Sequence, residues 1–394
     1  MNKDEYVVCF FPSFPLNKVA IPRKDESFQK SENQVNRWIQ LFGIDNPVRE
    51  DDFEDWHENT IKFFAALDSG IPVIVSELGI PEDNKEQKNR EIIPIAYFNS
   101  ADRNMLKSRK IIALGREYRR MPMDPVYAWP TQDSILAGTF YFLNPAFYNH
   151  AGRDVAFTGT GVSFIERTDT LIRPKYKQDV ECLDHLALTI KNMAEKHGEE
   201  LIIKNVTRLK YSTVKPYKFT NTQDIEAIKS QLMNYFEYDL FYIDGRMPLY
   251  LIQEKIDIRH EYRMVIIDGK PVAGAGCVEN LCPHYNNGEL FHPLTETYRR
   301  DGMAVNSHIL VDRYIRQAEK VAADLTNMDP HSADIILDFG LDKNDNIVLI
   351  EANPIANFGL YAMNYYSVFN KILERLENFP APQDNIGSFP ILGF

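Results

Sequence analysis

Near its end the sequence reads Ile335-Ile-Leu-Asp338-Phe-Gly-Leu341, then Asp342-Lys-Asn-Asp-Asn346, then Ile347-Val-Leu-Ile-Glu351-Ala-Asn353-Pro354. Two apolar runs joined by turn-forming residues predict the two strands of a hairpin. Because side chains alternate along a strand, Glu351 and Asn353 share one side if the chain stays extended through Ala352. The hairpin turn is expected to bring Asp338 near both of them.

These three polar side chains form a candidate metal site. Asp338, Glu351 and Asn353 offer two carboxylates and one amide oxygen, which suit a hard cation such as Mg²⁺. Magnesium usually keeps several waters and takes further ligands from nucleotide phosphates. Acidic residues at strand ends are more often solvated or cap the following turn. Here the apolar run at 347–350 leads directly into Glu351, which favours a site at the edge of a core.

The composition indicates a folded protein of roughly two or three structural units. The chain has 394 residues, and 44% of them are hydrophobic, which gives enough apolar surface to offset the entropy lost on ordering. Its 44 Lys and Arg against 56 Asp and Glu give a net charge of −12. That charge argues against a protein that binds nucleic acid mainly through the phosphate backbone, although a local basic groove stays open.

No apolar run approaches the roughly 18 residues of a membrane span. The four cysteines are too scattered to form a disulfide framework. We therefore expect a cytoplasmic protein with no membrane partner.

Apolar periodicity predicts different architectures for the two halves of the chain. Strands at 6–11 and 71–76, with a helix at 56–67 between them, indicate an α/β domain at 1–177 that includes a solvated loop at 147–153. Further along, helices are predicted at 183–194, 225–235 and 311–325, and strands at 201–206, 249–255, 261–267, 271–277, 335–341 and 347–351. Antiparallel hairpins covered by helices indicate an α+β domain. We place this domain at 178–380 and a tail at 381–394.

Three further motifs precede the hairpin. They are Leu201-Ile-Ile-Lys204, Leu251-Ile-Gln253-Glu254-Lys255-Ile256 and Asp257-Ile-Arg-His-Glu261-Tyr-Arg263. Together with Asp338 and the Glu-x-Asn at 351–353, this order resembles the ATP-grasp superfamily, which includes D-alanine-D-alanine ligase, glutathione synthetases and ribosomal-protein glutamate ligases. The resemblance covers residues 180–375, about half of the chain.

The resemblance implies an ATP-grasp fold, in which two α+β subdomains grip ATP, preceded by an α/β N-terminal domain. It implies ATP and Mg²⁺ as cofactors, with Asp338, Glu351 and Asn353 as the metal ligands. The residues that it implies in nucleotide binding are Lys204, Lys210, Gln253, Glu254, Lys255, Ile256, Glu261 and Arg263. The segment 253–256 would meet adenine and Glu261 the ribose, while Lys204 and Arg263 would contact phosphate and take part in catalysis.

The sequence departs from this superfamily after Lys204. Members usually carry a glycine-rich flap at this point, whereas residues 205–215 contain no glycine. Side-chain cations such as Arg208 and Lys210 would have to take the place of backbone N–H groups at the phosphates.

Structural interpretations of the same residues stay open. Lys204 would then extend its ammonium group to solvent, and 254–255 would be an exposed strand end. Arg263, which lies inside an apolar strand, would form a structural ion pair with Glu261 or Asp257.

The activity that the resemblance implies is ATP-dependent ligation of a carboxylate to an amine through an acylphosphate. The partners would be small-molecule or peptide acids and amines. A kinase on the same scaffold and a non-catalytic nucleotide-binding module are the alternatives. Residues 1–177 and the loop at 355–366 are expected to shape the acceptor pocket. Within and after that loop, core packing is favoured over ligand stacking for Tyr361, Tyr365 and Tyr366.

Overall fold

The structure is a computed structural model. It describes residues 3–12, 14–21, 28–50, 54–75, 91–92, 95–97, 110–115, 151, 153–158, 162–168, 171–176, 182–205, 216–241, 250–277, 288–296, 304–328, 333–353 and 359–378. Contacts divide the chain into two units, each assembled from segments that are distant in the sequence. The first unit comprises Met1–Ile135, Arg259–Gly340 and Asn353–Pro380, and the second comprises Leu136–Ile258, Leu341–Ala352 and Ala381–Phe394. The predicted domain boundaries after residues 177 and 380 stay predictions.

The described residues form both helices and strands. The helices are α1 Phe28–Phe42, α2 Glu54–Asp68, α3 Cys182–His197, α4 Ile225–Phe241, α5 His308–Met328 and α6 Tyr365–Asn378. The strands are β1 Tyr6–Phe11, β2 Lys18–Ala20, β3 Val48–Glu50, β4 Val73–Val75, β5 Glu91–Ile92, β6 Ile95–Tyr97, β7 Lys110–Gly115, β8 Val155–Thr158, β9 Val162–Thr168, β10 Leu171–Tyr176, β11 Glu200–Asn205, β12 Pro216–Lys218, β13 Tyr250–Glu254, β14 Ile258–Ile267, β15 Lys270–Gly276, β16 Leu294–Glu296, β17 Ala304–Asn306, β18 Ile335–Asp342 and β19 Ile347–Asn353. None of the helices in this part of the chain has the length and apolar character needed to cross a lipid bilayer.

The first unit contains a mostly parallel sheet with the order β5-β6-β4-β1-β7. Strand β1 runs parallel to both of its neighbours, so that Val8 lies opposite Val73 on one side and Ile112 on the other. Parallel strands need a long crossover, and α1 and α2 lie in the chain between β1 and β4. The predicted strand, helix and strand at 6–11, 56–67 and 71–76 are confirmed as β1, α2 and β4.

One hydrophobic cluster in the first unit joins segments from both ends of the chain. Trp56 and Phe64 of α2 belong to the same cluster as Leu360, Val368 and Phe369, and α2 packs on α6. Residues far apart in the sequence therefore share a single core.

A second sheet has the order β15-β14-β18-β19. Strands β14 and β15 are antiparallel, with Tyr262 opposite Gly276. Asp268 and Gly269 connect them with φ angles of 54° and 69°, in the left-handed region that glycine adopts most readily. The strands predicted at 261–267 and 271–277 are therefore confirmed as a hairpin, and α5 packs on β15.

Gly274 in β15 has room for no side chain. A Cβ atom added there would lie 2.5 Å from Tyr262 Cε1, 2.9 Å from Met264 Sδ and 3.0 Å from the Arg263 carbonyl oxygen. We expect Gly274→Ala to lower the free energy of unfolding by about 1 to 3 kcal/mol, because the added methyl group overpacks the sheet. Urea unfolding followed by circular dichroism measures the loss. An unchanged midpoint would show that Tyr262 and Met264 yield to the methyl group without strain.

The second unit contains an antiparallel sheet with the order β12-β11-β13-β8. Alternation along β11 buries Leu201 and Ile203 and leaves Ile202 half-buried. The buried positions join a cluster that includes α3 and α4, with Leu186, Ile190, Ile228, Leu232 and Ile252 among its members. Helix α3 runs three residues past its predicted end at 194 and stops at His197, where Gly198 follows it with φ of 92°.

Helices α1 and α6 are absent from the sequence-based predictions. The predicted loop at 355–366 ends early, because α6 begins at Tyr365. Tyr365 is buried in the core, and Tyr361 and Tyr366 pack against it while partly buried. Core packing of the three tyrosines is therefore confirmed.

Candidate functional site

Asp338 and Arg263 form a buried ion pair between neighbouring strands β18 and β14. Arg263 Nε donates to Asp338 Oδ1 at 2.7 Å, and Nη2 donates to Oδ2 at 2.8 Å. The two side chains are 11% and 5% exposed. Two parallel charge-assisted hydrogen bonds make a strong and directional contact. The ion-pair interpretation of Arg263 is thus correct in kind, but Glu261 and Asp257 were the wrong partners to expect.

Other contacts of Arg263 keep its charge fixed in place. Its Nη1 donates to the Gly359 carbonyl oxygen at 2.9 Å, and its guanidinium carbon lies 5.2 Å from the centre of the Tyr361 ring. Burial opposes the charge, but the attraction of Asp338 outweighs it and holds the pKa of Arg263 above its ordinary value. Arg263 is therefore a permanent positive charge beside the predicted metal ligand.

The strand that carries the other two predicted metal ligands stays extended as far as Asn353. Asn353 Nδ2 donates to Asp338 Oδ2 at 3.0 Å. Glu351 is 7% exposed and, two residues earlier in the same strand, shares the side of Asn353 by alternation. The structure therefore brings Asp338 and Asn353 into contact, and it meets the condition of extended geometry through Ala352.

The hydrogen bonds of Asp338 leave it some capacity to bind a cation. Oδ1 accepts one hydrogen bond and Oδ2 accepts two, whereas an ionised carboxylate offers about four acceptor directions. Two carboxylates and an amide suit Mg²⁺, which completes its coordination with water or phosphate. Within the described residues, no group of three or more His, Cys, Asp and Glu side chains is placed to hold a metal. With the described residues alone, a magnesium ion bound here would need further ligands, such as water or phosphate oxygens.

Gly359 and Leu360 lie against Glu58 of helix α2. Leu360 N donates to Glu58 Oε1 at 2.9 Å. A Cβ atom added at Gly359 would lie 2.8 Å from Glu58 Oε1 and 3.1 Å from Arg263 Nη1. Only glycine fits at position 359 without moving the arginine or the glutamate.

The segment predicted to meet adenine lies in the second unit. Gln253 and Glu254 end β13, and Lys255 and Ile256 begin the connection to β14. Gln253 is 2% exposed, and its Nε2 atom is buried without a hydrogen-bond partner. Glu254 Oε2 is also buried without a partner. Such atoms are rare in native proteins, so each of them marks a place where a ligand could supply the missing partner. Because consecutive side chains of a strand point to opposite faces, the two atoms lie on different faces of this strand end.

The structure describes the predicted cationic residues to different extents. Lys204 lies in β11 opposite Leu251 of β13, and its side chain falls outside the described residues, as does the whole of Lys210. Lys255 is exposed and pairs with Glu200, and this hydrogen bond raises the pKa of Lys255. The Lys255 ammonium group therefore has a partner within the chain, as expected for a lysine at an exposed strand end.

Ile256 and Glu261, the remaining predicted nucleotide-binding residues, are both half-buried. Glu261 lies in β14, two residues before Arg263. Their proposed contacts with the nucleotide stay predictions.

Arg153 is a site residue that the sequence prediction missed. It was assigned to a solvated loop at 147–153, but it is only 6% exposed. Its Nε donates to Glu254 Oε1 at 2.7 Å, and its Nη1 donates to the Leu349 carbonyl oxygen. A buried arginine needs an anionic partner, and nothing near residue 153 in the sequence points to Glu254.

No family model and no curated protein matches the chain. Among solved structures, D-alanine-D-alanine ligase from Bacillus anthracis is 12% identical with a TM-score of 0.39, and the match covers 94% of this chain and 97% of that one. N5-carboxyaminoimidazole synthetase from Staphylococcus aureus is 10% identical with a TM-score of 0.39 over 95% and 78% of the two chains. The corresponding synthase from Aspergillus clavatus, solved with ADP and 5-aminoimidazole ribonucleotide, is 15% identical with a TM-score of 0.40 over 82% and 74%. These solved proteins are ATP-grasp ligases, and their similarity to this chain is distant.

Proposed function

We propose that the protein is an ATP- and Mg²⁺-dependent ligase that joins a carboxylate to an amine. A carboxylate is a poor acyl donor because its oxygen is a poor leaving group. Transfer of the γ-phosphoryl group of ATP to the acid gives an acylphosphate and ADP. The amine then attacks the acyl carbon, forming the C–N bond and releasing phosphate. Such chemistry depends on positioning and electrostatic stabilisation and needs no side-chain nucleophile.

The observation that carries this proposal is the contact between Asp338 and Asn353. The two residues lie 15 positions apart, and the amide of one lies 3.0 Å from the carboxylate of the other. Glu351 on the same side of the strand completes the donor set of the proposed site. Magnesium bound there would neutralise charge between the β- and γ-phosphates.

The other proposed roles follow from charge and from unsatisfied polar groups. Lys204 and Arg263 would stabilise the phosphoryl group in transfer and the oxyanion that follows it. The strand end formed by Gln253, Glu254, Lys255 and Ile256 would bind adenine through its backbone and the Glu254 carboxylate, with support from the unpaired Glu254 Oε2. Glu261 would bind ribose, and Lys210 would contact phosphate.

Product analysis tests the proposal. Pairs of acids and amines are screened for ADP release in the presence of MgATP, and any product is identified by mass spectrometry. A ligase releases ADP and free phosphate only when acid and amine are both present. Phosphate retained on an acceptor without a joined product would identify a kinase instead. Nucleotide binding without turnover across the screen, together with no effect of Glu351 replacement on that binding, would favour a non-catalytic module.

A further inference from the structure

Arg153 connects two strands of the second unit through a single buried side chain. Its Nε contacts Glu254 Oε1 at the end of β13, at 2.7 Å. Its Nη1 contacts the backbone oxygen of Leu349 in β19. Arg153 is 6% exposed, and the side chain of Glu254 is 14% exposed. A guanidinium held at two points has little freedom, so it fixes the position of the Glu254 carboxylate.

The contact with Arg153 also decides what Glu254 can bind. The Glu254 carboxylate accepts a hydrogen bond from this guanidinium, and a carboxylate accepts hydrogen bonds but donates none. Its Oε1 atom is occupied by Arg153, while its Oε2 atom is buried and has no partner. The group left for a ligand is therefore one buried acceptor of fixed position, and it matches an N–H donor.

This acceptor distinguishes the two purine bases. Adenine carries an amino group at position 6, whereas guanine carries a carbonyl oxygen there. An amino group satisfies Oε2, but a carbonyl oxygen would place two acceptors against each other. A buried acceptor facing another acceptor is disfavoured because both lose their hydrogen bonds to water.

We infer that Arg153 is a positioning residue that sets the preference for adenine nucleotides by orienting Glu254 from an anchor on β19. The inference rests on the proposed nucleotide site and adds a residue and a specificity to it. Arg153 does not touch the nucleotide and acts through Glu254. Its effect therefore falls on the base and leaves the phosphates unaffected.

The test compares three probes by calorimetry, namely MgATP, MgGTP and magnesium tripolyphosphate, which has no base. The unaltered protein is expected to bind MgATP more tightly than MgGTP. In Arg153→Gln the affinity for MgATP should fall by about 10- to 100-fold, the effect of one charged hydrogen bond, while the affinity for tripolyphosphate changes little. A parallel loss for all three probes, or an unchanged preference for MgATP, would overturn the inference.

Two further variants guard against a general loss of structure. Arg375→Gln is the matched control, because Arg375, like Arg153, donates through Nε to an acidic side chain, Asp334 at 3.1 Å, and through Nη1 to a second acceptor, Asp268 at 2.8 Å. It should leave the preference for MgATP intact. Glu254→Gln keeps the shape of the side chain but adds a donor, and it should weaken the preference even if Arg153→Gln does not fold.

A double variant separates an action through Glu254 from an independent structural effect. If Arg153 acts through Glu254, the pair of replacements should change the MgATP preference no more than either one alone. Additive effects would overturn the inference. Absence of MgATP binding by the unaltered protein would overturn the proposed function and the inference together, whereas retained binding with unchanged preference in the variants overturns the inference alone.

Discussion

Replacing Arg263 with methionine should lower the free energy of unfolding by about 3 to 5 kcal/mol, because it leaves the carboxylate of Asp338 buried and unpaired. The Asp338 side chain is 5% exposed, so water cannot take the place of the guanidinium. The lost hydrogen bonds to Asp338 and to Gly359 add to the effect. Equilibrium unfolding in urea measures it, and a loss below about 1 kcal/mol would contradict the buried ion pair.

The double variant Arg263→Met/Asp338→Leu distinguishes the structural role of this pair from its proposed role in the site. Replacing both charges by apolar groups removes the unpaired charge, so stability should return to near that of the unaltered protein. Nucleotide turnover should be absent in the double variant, because it lacks a proposed metal ligand and a proposed phosphate contact. Recovery of both stability and turnover would show that the pair serves structure alone.

Glu351→Gln should reduce nucleotide turnover by about 100-fold or more, since a bound metal contributes several kcal/mol of charge stabilisation in the transition state. The replacement preserves the size of a side chain that is 7% exposed, and it removes one negative charge from the proposed donor set. ADP release under saturating MgATP measures turnover, and calorimetry measures binding. Binding should be weakened less than turnover.

Glu374→Gln is the control for Glu351→Gln, because Glu374 lies on the surface of α6 in an exposed pair with Lys371. It should leave turnover unchanged. Turnover in Glu351→Gln equal to that of the control would remove Glu351 from the metal site.

The hairpin of β18 and β19 is predictable from sequence because every local signal agrees. Apolar runs of strand length flank five turn-forming residues, and the polar positions follow the alternation of a strand. The boundaries differ from the prediction by one or two residues, and β19 extends to Asn353, so that Glu351 and Asn353 lie in one strand and Asp338 lies in β18. The same agreement explains why the Asp-Gly hairpin of β14 and β15 is correctly predicted.

The partners of the buried arginines cannot be read from local patterns. Arg263 pairs with a residue 75 positions away, and this contact depends on the order of strands in the sheet. Arg153 reaches partners 101 and 196 positions away. Short polar neighbours make its segment look like a surface loop, and only the assembled sheet shows that it is buried.

Helix α6 is absent from the sequence-based predictions for a different reason. Its buried positions Tyr365, Val368, Phe369, Ile372 and Leu373 follow helical spacing, so the signal was present in the sequence. The predicted loop after β19 extends to residue 366 and so includes the first two residues of the helix. Helix α1 carries the same kind of signal, since Val35, Trp38, Ile39 and Phe42 follow helical spacing, although polar residues outnumber apolar ones along it.

The shared cluster around α2 and α6 has a practical consequence for shortened versions of the protein. Trp56 and Phe64 come from the opening segment, and Val368 and Phe369 come from the closing one. Cutting the chain between these segments would separate the two halves of the cluster and expose apolar surface on each fragment. Exposed apolar surface promotes aggregation. A fragment that starts after residue 177 should therefore be co-expressed with residues 1–177 as a separate polypeptide.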